Sequence, residues 1–270
     1  MIHRITVTKD SASPLLALVA TSLGESKKRA KKILDSKSVY VNGRCVWIAG
    51  HILKPADSVL IFEESEFSPR IQALFEDEDL VVINKPPGIL TNGENSFEDE
   101  LREFGRYQEL LAVHRLDRDT TGCVLFSKRH TIKPTLDSLF AGREVQKSYE
   151  AIVEGRFPAT LNEIDTPLEG KAARTLPKVV LSNSHASYLR IKIESGRMHQ
   201  IRRHLLSVGH AVIGDKEYKG RGVQWPIKRQ MLHAAELSFI HPRTNERLTI
   251  KAPLPLDFME CLELFNLKKS

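Results

Sequence analysis

Two carboxylates, two guanidiniums and an imidazole crowd into His114-Arg115-Leu116-Asp117-Arg118-Asp119, followed at once by Thr120-Thr121-Gly122. Apolar runs bracket the segment, Leu110-Leu111-Ala112-Val113 before it and Cys123-Val124-Leu125-Phe126 after it. Both runs read as buried strands. Polar side chains so dense between buried strands must pair with one another or with a ligand, because unpaired charge there is expensive. A surface ion-pair network and a reactive site both meet that condition. A second cluster, Gly196-Arg197-Met198-His199-Gln200-Ile201-Arg202-Arg203-His204, opens a predicted helix over 200–208. Gly196 offers a permissive turn, and the helix N-terminus that follows favours an anion. His199, Arg202 and Arg203 lie three or four apart and share one face, with Ile201 and Leu205 on the apolar one. That arrangement suits phosphate contact, or equally a capped helix with solvated arginines.

Several chemistries lack their residues. There is no Gly-rich phosphate loop and no dinucleotide fingerprint. His199 and His204 are five apart and share no helical face, so they make no zinc pair. His114, Asp117 and Asp119 could hold a divalent ion, but Arg115 and Arg118 oppose it. No serine sits in a nucleophile elbow, and Cys123 has the apolar flanks of a core cysteine. What remains is a metal-free site in which an aspartate works beside arginines as nucleophile, base or electrostatic stabiliser.

The elements that must position these residues fall into two parts. The 270 residues are 41% hydrophobic and 27% charged, enough for one sizeable core plus a small appended domain. The three cysteines are scattered and odd in number, which points to a reducing, cytoplasmic setting. The run 15–20 is too short for a membrane span. The net charge of +6 favours a polyanionic partner, and residues 1–65 hold ten Lys or Arg against six Asp or Glu. In that first quarter, a short helix over 14–22 precedes a second from the N-cap Ser26 to Asp35. Lys27 and Lys31, and Lys28 and Lys32, stack four apart with Arg29 beside them. Those like charges cost a few tenths of a kcal/mol per pair, which a phosphate backbone would relieve. A strand over 39–41, the hairpin signal Asn42-Gly43, a return over 45–48, the turn Lys54-Pro55-Ala56-Asp57 and a strand over 58–62 complete the module.

The segment 63–69 reads as a linker, dividing 1–65 from 66–270. Beyond it strands are predicted at 80–84, 123–126, 147–154, 187–193 and 247–251, and helices at 98–104, 131–139 and 200–208. Strands outnumber helices and many are joined by turns, which predicts an α+β domain on a mixed, mostly antiparallel sheet. Residues 147–153 approximate alternation, with Tyr149 on one face and Ser148, Glu150 and Ile152 on the other.

The first module, over about 11–62, resembles the S4 RNA-binding domain, most clearly at Ser38-Val39-Tyr40-Val41-Asn42-Gly43 and Lys54-Pro55-Ala56-Asp57. That resemblance implies that Lys27, Lys28, Arg29, Lys32 and Arg44 touch structured RNA. The segment 114–122 resembles the signature of the RluA-type pseudouridine synthases. Asn84-Lys85-Pro86-Pro87-Gly88, Lys147-Ser148-Tyr149-Glu150-Ala151, Gly196–Arg202 and a tail through Gly214-Asp215, Leu232-His233-Ala234 and His241-Pro242 follow the family's order over about 75–267. Departures are Ser195 for a common threonine, Thr91-Asn92-Gly93 in a loop expected to face substrate, and His210-Ala211-Val212 without its usual proline.

Membership would imply conversion of a specific uridine in folded RNA to pseudouridine, without cofactor or metal. Asp117 would act at the ribose, by attack at C1′ or by removing the 2′ proton. Tyr149 would stack on the base, and Arg202 would partner the aspartate. Arg115 would hold the flipped nucleotide open, and Arg118, Arg197, His199 and Lys85 would bind substrate. Family habit favours ribosomal RNA, of the large subunit, over transfer RNA, with no obligate protein partner and no membrane. A non-catalytic RNA-binding or ribosome-associated protein and a metal-dependent phosphodiesterase are the competing readings.

Overall fold

The computed structural model describes residues 2–8, 13–35, 39–42, 44–62, 72–103, 107, 109–220, 225 and 227–267. The expected linker 63–69, together with Ser38, Gly43 and Phe104, lies outside them, as does the Arg44 side chain. The chain divides into two compact units, 1–68 with 223–226, and 69–222 with 227–270.

The first unit runs β1 (Ile2–Thr6), α1 (Leu15–Leu23), α2 (Lys27–Asp35), β2 (Val39–Val41), β3 (Arg44–Cys45) and β4 (Ser58–Phe62). Its sheet has the order β1-β4-β2-β3, antiparallel throughout. Leu15, Leu18 and Val19 of α1 and Ala30, Ile33 and Leu34 of α2 close a core with Val39, Val41, Val59 and Ile61. Ser26 caps α2, its Oγ accepting the Arg29 N–H at 3.2 Å. The apolar stripe of α2 is buried, so Lys27, Lys28, Arg29, Lys31 and Lys32 are left exposed. The return strand expected over 45–48 is shorter, with β3 spanning only Arg44–Cys45. Asn42 instead organises the neighbouring turn: its amide donates to Asp57 Oδ1 at 2.8 Å and its Oδ1 accepts the Ser58 N–H at 2.9 Å.

The second unit contains β5 (Ala73–Glu76), β6 (Leu80–Lys85), α3 (Phe97–Glu103), β7 (Leu111–Ala112), β8 (Thr121–Ser127), α4 (Lys133–Ala141) and β9 (Gln146–Glu154). It continues with β10 (Thr175–Ser182), β11 (Ala186–Ile193), α5 (Gln200–Ser207), β12 (Leu232–Ile240), β13 (Arg247–Lys251) and α6 (Leu256–Leu264). One sheet follows the path β10-β11-β9-β12-β8-β6-β5, with β13 on β12 and β7 on β8. Among the described residues only β12 and β8 pair in parallel, so the α+β, mostly antiparallel expectation describes the sheet.

The sheet is covered on both faces. Alternate residues of β6 and β8 divide accordingly: Val81, Ile83, Val124 and Phe126 enter one core, and Leu80, Val82, Cys123 and Leu125 the other. β9 keeps the expected alternation of faces, with Tyr149 entering the first core beside Ala151 and Val153 while Ile152 does not join them, but burial does not alternate along it. It lies between β11 and β12, and Tyr149 through Val153 are all buried. At the entrance to β8, Gly122 has φ +111°, and a Cβ there would run into the Ala234 carbonyl. The parallel contact of β8 with β12 therefore requires glycine.

Candidate active site

The loop carrying Asp117 is clamped from several sides. Thr91 Oγ1 donates to the Leu116 carbonyl at 3.0 Å and accepts the Leu116 N–H at 2.9 Å. Lys85 Nζ donates to the carbonyls of Pro86 and Ile89 at 2.8 Å and of Arg118 at 2.9 Å. The Gly88 N–H reaches that Arg118 carbonyl as well, at 3.0 Å. Gln230 donates to Thr120 Oγ1 at 2.9 Å, and Thr121 Oγ1 pairs with His233 Nδ1 at 2.8 Å. These bonds explain why the segment needs lysine, glycine and hydroxyl residues around one carboxylate: they fix its backbone.

Two expectations change accordingly. Lys85, expected to bind substrate, is fully buried, and its three N–H bonds are spent on carbonyls. Burial brings its pKa down to about 7, opposed by Asp119 and Asp117. It sets the loop instead of meeting a ligand. Thr91 of the loop expected to face substrate is likewise buried under Leu116, while Asn92, Gly93, Glu94 and Asn95 of that loop stay exposed.

Arg202 comes from α5 and is 5% exposed. Its Nη1 donates to Asp117 Oδ2 at 3.0 Å. Nε and Nη2 grip Asp215 at 2.6 and 2.8 Å, and Nη2 also reaches Glu217 Oε2 at 3.3 Å. The Tyr218 ring lies 4.8 Å from the guanidinium. Burial alone would raise the Asp215 pKa, but Arg202 and the backbone N–H groups of Tyr218 and Glu217 outweigh it and hold the carboxyl below its ordinary value. Burial would likewise lower the Arg202 pKa, and the two aspartates raise it. The guanidinium thus stays charged between two carboxylates.

His199 opens α5 with a left-handed backbone, φ +52°. Its Nε2 lies 3.8 Å from Asp117 Oδ1, and its Nδ1 lies 3.1 Å from the Tyr218 hydroxyl and 3.5 Å from Glu217. The left-handed residue of this turn is His199 and not Gly196. Tyr149 is 8% exposed on the same core face that α5 covers with Ile201 and Leu205. Burial first, and then the charge of Asp117, pushes its phenol well above the ordinary range, so it is neutral.

The remaining predicted positions separate. Arg115 and Arg118 are exposed beside Asp117. Arg197 donates to the Ala172 carbonyl at 3.2 Å. Arg203 does not share the face of His199 and Arg202, because it turns outward to Glu169 at 2.8 Å. His114 leaves the carboxylates altogether: its Nε2 accepts the Leu125 N–H at 3.1 Å, and its ring stacks on Phe140 at 4.8 Å. Burial and Lys147 bring its pKa down to about 3. Among the described residues the groups that could jointly hold a metal are Asp77, Asp79 and His241. There His241 Nδ1 already accepts two backbone N–H bonds at 3.2 Å, so the proton sits on Nε2, facing Asp77 at 2.9 Å. Asp215, Glu217 and Tyr218 complete the site without having been assigned a role from sequence. Only the Gly214-Asp215 pair carried a signal, as part of a recognisable order.

The model of the RNA pseudouridylate synthase family matches residues 79–207, which contain Asp117, Tyr149 and Arg202. A Bacillus subtilis protein described as an uncharacterized RNA pseudouridine synthase, YhcT, is 31% identical, the match covering 92% of each chain. The chain belongs to the RNA pseudouridylate synthase family. It is an isomerase of RNA uridine by that membership. The synthase is also 34% identical to the ribosomal large subunit pseudouridine synthase C of Buchnera aphidicola subsp. Schizaphis graminum, over 70% of this chain and 69% of that one. Human RNA pseudouridylate synthase domain containing 4 shares its fold, with a TM-score of 0.60 and 22% identity over 72% of this chain and 92% of that structure.

Proposed function

We propose that this synthase is of the RluA type and that Asp117 acts at the ribose of a uridine swung out of a folded RNA. The observation that carries the reading is the 3.0 Å ion pair from buried Arg202 to Asp117, a carboxylate whose side chain keeps 27% of its surface exposed. In the isomerisation the N1–C1′ bond breaks and a C5–C1′ bond forms. A proton leaves C5 and one is gained at N1, so no redox partner or group donor is consumed and no cofactor is called for. Asp117 either attacks C1′ or removes the 2′ proton. In both routes Arg202 pairs with it and holds its aim as substrate displaces water. Tyr149, a neutral phenol, offers its flat face to the detached base. Arg115 holds the extruded nucleotide open, and Arg118, Arg197 and His199 bind the RNA around it.

The first unit is proposed as an S4-like docking domain, residues 1–65 against 66–270, that holds structured RNA through Lys27, Lys28, Arg29, Lys32 and Arg44. Four of these are exposed along one helix, which supports a phosphate-tracking role. Ribosomal RNA of the large subunit, in the cytoplasm, is the proposed substrate, supported by the likeness to synthase C. No obligate protein partner enters the proposal. Pseudouridine mapping across total RNA, with and without the protein, tests it. A site in large-subunit RNA that disappears with the protein is expected, and a lost site confined to transfer RNA would reverse the assignment.

A further inference from the structure

Among the described residues Lys147 is a cation without a carboxylate partner. It precedes Tyr149 by two residues on β9, so both side chains leave the same face, roughly 7 Å apart along the strand. Its Nζ lies 5.7 Å from the Phe140 ring centroid, and Phe140 stacks on His114, the first residue of the Asp117 segment. A Cβ on Gly196 would lie 3.6 Å from the same Nζ, which places the ammonium against the loop leading to His199 and Arg202. Lys147 thus stands where the three segments that build the site converge.

Its surroundings give it no counter-charge. The charged neighbour that acts on it is Arg143, itself exposed and set by a left-handed backbone of φ +61°. Among the described residues neither makes an ion pair with a carboxylate. Burial first, and Arg143 second, lower the Lys147 pKa. A half-buried ammonium beside a second cation is costly in the free protein, and a bound anion removes that cost. A purely packing role, with the aliphatic stem over Phe140, would explain the stem but not the unpaired head.

We propose that Lys147 and Arg143 form the seat of a backbone phosphate of the RNA, adjacent to the nucleotide presented to Asp117. The inference rests on the reading of Asp117 as the catalytic group for which nucleotide this is.

The test uses the full chain and large-subunit ribosomal RNA transcribed in vitro. Lys147→Gln should weaken binding several-fold and flatten log Kd against log salt by about 0.7–0.9, the increment of one lost phosphate contact. Lys147→Arg should keep both, and KM should suffer more than kcat. Carbon-13 methylation of the lysines, with Lys147→Arg to assign the signal, reads the wild-type ammonium directly and serves even where Lys147→Gln folds poorly. Its pKa should lie below that of an ordinary lysine in the free protein and rise when RNA binds. An unchanged salt slope in folded Lys147→Gln, or a lysine pKa that RNA does not move, overturns the phosphate seat. Normal pseudouridine formation by Asp117→Asn would reject the active-site reading and leave the salt result standing on its own.

Discussion

Replacing Asp215 by Asn removes one charge from a side chain that has no exposed surface, and it leaves Arg202 with Asp117 and Glu217 as partners. Asp215 accepts two bonds from Arg202 and two from backbone N–H groups. The amide keeps one acceptor and turns a donor toward the guanidinium or the backbone. Breaking one side of a buried, hydrogen-bonded pair costs about 3–5 kcal/mol. For a unit of this size that corresponds to a fall in Tm of roughly 6–20 °C. Equilibrium urea unfolding at pH 7 measures it, beside single-turnover pseudouridine formation, which should fall as Arg202 loses its anchor. The pH dependence supplies a second check. The folded pKa of Asp215 is lowered, so its stabilisation is fully present above the unfolded value of about 3.9 and is lost as pH falls through the lower folded value. The gap between wild type and Asp215→Asn should therefore close in acid. A variant within about 1 kcal/mol of wild type at neutral pH, or a gap that widens on acidification, would refute the anchoring argument.

Gly122→Ala should be destabilised by several kcal/mol, about 1–3 from backbone strain and about 1–3 from overlap with the Ala234 carbonyl, and a Tm near wild type would show that β8 and β12 do not approach so closely. Lys85 has a folded pKa near 7 against about 10.4 unfolded, so between those values the unfolded chain binds the extra proton and stability gains with rising pH, by up to about 1.4 kcal/mol per unit. Lys85→Met should abolish that slope in unfolding measurements from pH 6 to 9, and a slope common to both proteins would assign it elsewhere. Lys28→Glu with Lys32→Glu should leave Tm within about 0.5 kcal/mol equivalent while weakening RNA binding and its salt dependence, because both side chains are exposed. Unaltered filter-binding curves would remove α2 from the docking surface.

Local chemistry made much of this fold legible. The cap at Ser26 and the apolar spacing of Ala30, Ile33 and Leu34 located α2, and the short apolar run after Gly122 located β8. Four strands escaped, β1, β5, β10 and β12, and the last two did so for opposite reasons. Pro177 argues against a strand over Thr175–Ser182, yet β10 ends the sheet path, where a missing N–H is tolerated. In β12 the run His233-Ala234-Ala235-Glu236-Leu237 has helical propensity, and pairing with β9, β8 and β13 overrides it. At the site, residue types pointed to Asp117, but periodicity could not pair it with a guanidinium 85 positions away; a resemblance named Arg202 instead. Lys85 shows the opposite error. The resemblance placed it against substrate, whereas three carbonyls that need donors explain it here.

The most direct test is product analysis of one RNA treated with wild type and with Asp117→Asn, a change that keeps the shape of a side chain held by Arg202. Nucleoside mass spectrometry should find pseudouridine from the wild type and none from the variant, with both proteins folded and binding the RNA with similar affinity. Pseudouridine at the wild-type rate from Asp117→Asn would contradict the account at its centre.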